Sequence, residues 1–116
     1  MSTLRLSTIQ NLAGVEVYTA KAWVNFNGTG TVAIRGSGNV SSITDNGTGD
    51  YTVNFTVAMA DANFSAVAAG ANMGAGNRLY ANQNQDPMTT SGWRVALWNE
   101  GGSLVDSSYV HVAIFR

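Results

Sequence analysis

The chain contains no cysteine and a single proline in 116 residues, and only 11% of its residues are charged. Without cysteine there is no disulfide framework and no thiolate metal site, so the fold is held by its own core or by neighbouring chains. The scarcity of charge, against roughly 25% in an average domain, leaves a surface of Gly, Ser, Thr and Asn. A formal net charge of -1 supplies no field that would gather nucleic acid or an anionic membrane, both of which need clustered Lys or Arg. It also leaves little repulsion between identical copies packed side by side.

Long apolar runs are missing too. The opening MSTLRLSTIQNLAG has neither the apolar stretch nor the small-residue cleavage site of a secretory signal, and no segment approaches the roughly 18 apolar residues that cross a bilayer. The expectation is a soluble chain made in the cytoplasm. The length suits one domain with one modest core.

What is present alternates. In Tyr51-Thr52-Val53-Asn54-Phe55-Thr56-Val57 aromatic and Val positions take turns with Thr and Asn, the period of a strand with one wet face. The same rhythm predicts strands over Ala20 to Phe26, with Ala22, Val24 and Phe26 on one face, over Thr31 to Arg35 and over Asn39 to Thr44. NGTG, GSG and DNGTGD separate these runs and read as tight hairpin turns, giving a β-meander. Four further strands are expected over Phe64 to Ala69, Asn77 to Asn82, Trp93 to Asn99 and Ser108 to Phe115, a spacing typical of sandwiches. Only Val57 to Ala62 could add a short helical turn. The predicted class is all-β: a small antiparallel β-sandwich, jelly-roll-like, over residues 15–116, preceded by an extended arm over residues 1–14.

Two strands are apolar on both faces. Val110, Val112 and Ile114 oppose Tyr109, Ala113 and Phe115, and Val95 and Leu97 oppose Ala96 and Trp98. Such strands are central in a sandwich or buried against another subunit. Leu4-Arg5-Leu6-Ser7-Thr8-Ile9 also alternates, and as an arm it could complete a neighbour's sheet.

Catalytic and metal-binding patterns are weak. The one histidine, His111, sits mid-strand with no base–nucleophile arrangement around it, which favours a packed or interface histidine over a general base; a pH sensor where copies meet is a further option. Glu16, Asp45, Asp50, Asp61, Asp86, Glu100 and Asp106 are scattered singly, so no carboxylate pair suggests glycosidase chemistry. In DNGTGD a calcium loop would need six to eight oxygens, several from carboxylates, and only two acids are offered. A hairpin with Asn46-Gly47 at its positive-φ positions is the better reading. Asn46-Gly47-Thr48 also fits a glycosylation acceptor, as do the sites at Asn27, Asn39, Asn54 and Asn63, which the Asn- and Thr-rich composition explains. Gly74-Ala75-Gly76 and the GTG turns have no following helix to cradle a phosphate. No cofactor and no enzyme activity are expected. The aromatics Trp23, Trp93, Trp98, Tyr80 and Tyr109 serve packing, or a sugar-stacking platform with Asn and Asp as partners for hydroxyls.

AKAWVNFNGTGTVAIRGSGNVSSITDNGTGDYTVNF, residues 20–55, resembles a module recurring in bacteriophage virion proteins described as tail fibre or receptor-binding proteins, and LRLSTIQNLAG and YVHVAIFR are similar in kind to its flanks. Residues 66–108 carry no such likeness. The resemblance implies a β-rich knob assembled as a homotrimer at the virion surface. A fibre protein normally adds a shaft, so the expectation leans toward a surface knob that decorates or cements the capsid through other virion proteins. A tail fibre tip recognising a host surface glycan is the alternative. The residues expected between subunits are Leu4, Leu6, Ile9, Trp23, Trp98, Tyr109, His111 and Phe115. A ligand would be held by the Gly70 to Gly92 loops, and the residues expected to take part are Arg78, Tyr80, Asn82, Gln85 and, just beyond them, Trp93.

Overall fold

The computed structural model describes Gly14, residues 18–70, 80–83 and 88–116. Within them eight strands form two antiparallel four-stranded sheets. In chain order they are β1 (Ala22–Asn27), β2 (Ala33–Gly38), β3 (Val40–Gly47), β4 (Asp50–Phe55), β5 (Ser65–Gly70), β6 (Tyr80–Gln83), β7 (Gly92–Trp98) and β8 (Val110–Phe115). One sheet has the order β2-β1-β8-β5 and the other β3-β4-β7-β6. No helix occurs among the described residues, and the Val57 to Ala62 stretch runs as irregular chain that buries Met59 instead of making the expected helical turn.

The sheets pack face to face through alternate residues. Ala22, Val24 and Phe26 of β1 with Val110, Val112 and Ile114 of β8 meet Tyr51, Val53 and Phe55 of β4 and Trp93, Val95 and Leu97 of β7. Each fully buried Val, Leu, Ile or Phe contributes roughly 1.5–3 kcal/mol, so these two central strand pairs dominate the stability. Phe26 meets Tyr51 edge-on across the sheets, with ring centroids 5.2 Å apart.

The expected meander is corrected by the topology. β1 and β2 form a hairpin, as do β3 and β4, but β2 and β3 lie in different sheets. GSG is not a turn: Gly36, Ser37 and Gly38 are part of β2 and pair with Asn25, Val24 and Trp23. The chain crosses between sheets at Asn39, whose φ of 54° is the left-handed conformation that Asn tolerates better than most residues. Its side chain fixes the crossing, accepting from Val57 N (2.7 Å) and donating to Lys21 O and Val57 O.

The β3–β4 hairpin also differs in detail from its reading. Gly47 pairs with Asp50, so Thr48 and Gly49 form the loop, and Asn46 sits at a break in register. The positive φ values belong to Gly47 and Gly49. The acids around this turn are engaged locally. Asp45 accepts from Gly47 N (3.0 Å), Asp106 from Gly49 N (2.8 Å), and Asp50 is bridged by Arg94. No group of three or more metal-ligating side chains is found among the described residues. A hairpin turn accounts for the segment's geometry.

Candidate interaction face

Each sheet has an outer face, and the two are chemically opposite. On β3-β4-β7-β6 the side chains satisfy one another. Asn54 donates to Ser42 Oγ and Thr44 Oγ1, Asn46 donates to Thr52 Oγ1, and Arg94 grips Asp50 through two bonds of 3.0 and 2.8 Å.

The outer face of β2-β1-β8-β5 is apolar. Trp23, Tyr109 and Phe115 are 46%, 45% and 41% exposed and Val67 is 56% exposed. Strand parity puts them there: Trp23 alternates with buried Ala22 and Val24, and Phe115 follows buried Ile114. Register aligns Gly38, Trp23, Ala113 and Val67 in one row across all four strands, with Gly36, Asn25, His111 and Ala69 in the next. A shallow groove runs between Trp23 and Val67, with Ala113, Ala69 and His111 along it.

The polar groups on this face are few and already engaged. Arg35 lies over the Tyr109 ring at 3.9 Å and donates to Asn25 Oδ1 at 3.2 Å, and Tyr109 stacks on His111 with centroids 6.3 Å apart. At its margin, edge strand β5, SAVAAG, carries no charged residue and no proline, so it lacks the devices that usually blunt a sheet edge.

The structure thus brings together four of the residues expected between subunits, Trp23, Tyr109, His111 and Phe115. Trp98 is separated from them. It lies on the outer face of the other sheet, where its Nε1 donates to Asn82 Oδ1 (3.2 Å), because β7 and β8 belong to different sheets. β8 is central within its sheet yet open on one face, whereas Ala96 on β7 has no accessible surface. Leu4, Leu6 and Ile9 lie outside the described residues.

The expected ligand loop divides as well. Tyr80 and Asn82 share the outer face of β6, beside Trp98. Trp93 is a core residue, only 5% exposed, because it shares parity with Val95 and Leu97; its role as a ligand anchor is corrected. Arg78 and Gln85 lie outside the described residues. Val67 and Arg35 complete the apolar face but were not singled out from sequence. The available signal was Val67 standing alone among alanines in a predicted strand.

Comparison with family models, with curated proteins and with solved structures finds no match for this chain.

Proposed function

We propose that this chain is a non-enzymatic structural protein of a bacteriophage particle, a homotrimeric surface knob that decorates or cements the capsid. The observation that carries the reading is the apolar outer face of β2-β1-β8-β5, which exposes Trp23, Tyr109, Phe115 and Val67 and has a shallow groove between Trp23 and Val67. Contiguous apolar surface of this kind marks an interaction site. Its occupant in this reading is the same face of further copies, since a net charge of -1 opposes assembly very little and no carboxylate lies in the two aligned rows.

Topology supports the jelly-roll-like description. With β2 and β3 set aside, β1 pairs with β8 and β4 with β7, while β5 and β6 flank the returning strands. First with last and second with second-to-last is the nested winding of jelly rolls. The likeness of residues 20–55 to a virion module supports the particle assignment. A tail fibre tip that holds a host glycan is the second reading, favoured by the aromatic and amide side chains gathered at Tyr80, Asn82 and Trp98.

The test has two parts. Light scattering on purified protein should give a trimer mass, and Phe115→Asp should give a folded monomer. A wild-type monomer at micromolar concentration would refute the assembly. Labelled antibody on intact particles should then decorate the head in many copies; label confined to the tail would replace capsid decoration with the fibre reading.

A further inference from the structure

The outer face of β3-β4-β7-β6 carries an exposed ring pair beside its hydrogen-bonded polar groups. Tyr80 stands directly opposite Trp98 in the β6–β7 register, so both rings rise from one face of adjacent strands, and Tyr80 is 54% exposed. One row along, Asp50, Ala96 and Asn82 are aligned across β4, β7 and β6, and Arg94 reaches into that row to hold Asp50.

We propose that this cluster is a binding site for a neutral pyranose oligosaccharide, with Tyr80 and Trp98 as the stacking platform and Arg94 and Asn82 as partners for hydroxyls, Arg94 being held in place by the buried Asp50. The apolar C–H face of a sugar ring matches an exposed aromatic face, which here is polar at one end and presented from a strand. Guanidinium and amide N–H groups offer donors to a diol, and the amide oxygen an acceptor.

The charge of the site selects the ligand class. Asp50 and Arg94 neutralise one another through two hydrogen bonds, so a charged ligand would gain from one partner what it lost to the other, a loss that an uncharged polyol avoids. The geometry is also set before any ligand arrives. Trp98 is fixed through Nε1 to Asn82 Oδ1 and by backbone pairing to Leu104, and Ala96 beneath has no accessible surface. A platform held in place loses little side-chain entropy on binding. This site rests on the glycan-holding second reading, to which it adds the sugar class; because it lies on the sheet opposite the apolar face, it does not depend on self-association.

The experiment is an NMR titration of isotope-labelled full chain with maltotriose, chitotriose and galactotriose, read at the indole N–H signals. The expected result is a saturable shift of the Trp98 indole and the Asn82 side-chain amide with at least one sugar. The Trp23 indole, on the other sheet, stays still and reports an intact fold. Tyr80→Ala should weaken the response on the order of tenfold, the equivalent of about 1.4 kcal/mol. The proposal is overturned if no sugar moves Trp98, if glycerol moves it equally, or if Tyr80→Ala responds like wild type. A Tyr80→Ala variant that melts earlier while wild type ignores all three sugars would make the pair a hairpin brace only.

Discussion

The indole of Trp23 lies along the backbone of the neighbouring strand so closely that a Cβ on Gly38 would stand 2.4 Å from Trp23 Nε1, and one on Gly36 would stand 3.3 Å from the six-membered ring. Two glycines in β2 thus supply the shelf on which the largest ring of the apolar face rests. Gly38→Ala should dislodge that ring without unfolding the domain, because a half-exposed indole can swing into solvent. The expected cost is about 1 kcal/mol, the low end for overpacking. Red-shifted tryptophan emission and a weakened oligomer would be seen together; an unchanged spectrum would mean that the indole does not rest on Gly38.

Gly49 is constrained differently. Its φ is 64°, and a Cβ there would meet Val105 N and O at 2.7 Å and Leu97 O at 2.8 Å, all backbone atoms that cannot swing away. Its carbonyl also accepts from Leu97 N. Gly49→Ala should therefore cost more than Gly38→Ala, at least about 2 kcal/mol from the φ penalty and the clash combined. Urea unfolding of the two variants side by side checks the order.

Much of this architecture was legible in the sequence because strand alternation is local. Each of the eight expected strands overlaps an observed one, and Ala22, Val24 and Phe26 face the core as their parity requires. Gly36 and Gly38 read as a turn in the local sequence because their compensating partner, Trp23, lies on another strand. Trp98 and Phe115 look alike by parity, each opposite a buried aliphatic residue. Only the distribution of β7 and β8 between sheets separates them, and pairings such as β1 with β8 span nearly the whole chain. Trp93 lies beside a long loop, but its alternation with Val95 and Leu97 is what sets it in the core.

Trp93→Ala provides a direct check of that placement. Truncating a buried tryptophan removes its transfer energy and leaves a cavity, for an expected loss of about 3–5 kcal/mol. The variant should melt far below wild type. A thermal scan that left the melting temperature unchanged would return Trp93 to the surface.

At the chain's end, Arg116 pairs with Asp61, donating from Nε at 2.8 Å and from Nη2. The guanidinium, helped by the Asn63 N–H, holds the Asp61 carboxyl down to about 2 from its ordinary 3.8. A depressed folded value means that the pair's contribution is present above 3.8 and fades as pH falls toward 2. Both side chains are open to solvent, so the effect is small. The melting temperatures of wild type and Asp61→Asn should differ slightly at pH 7 and converge near pH 2; a constant gap would assign the difference to something other than this pair.

The opposite sign applies at Tyr51. Its hydroxyl lies 2.6 Å from Asp106 Oδ1 and 2.7 Å from Gly28 O, with its one proton shared between two acceptors, and it ties β4 to both the β1–β2 turn and the chain leading into β8. Burial, then the bond to the Asp106 carboxylate, pushes its pKa well above the ordinary 10.0. A raised folded value means that the folded state keeps a proton which the unfolded chain gives up. Stability is therefore full below pH 10 and falls as pH rises beyond it. Tyr51→Phe should cost about 1–3 kcal/mol at neutral pH by stranding Gly28 O and removing one of the donors to Asp106, and should abolish this component of the alkaline loss. Absorbance of tyrosinate followed with circular dichroism tests both: in wild type the last tyrosine should ionise only as the sheet signal disappears, and ionisation of all four tyrosines in an intact fold would contradict the buried bond.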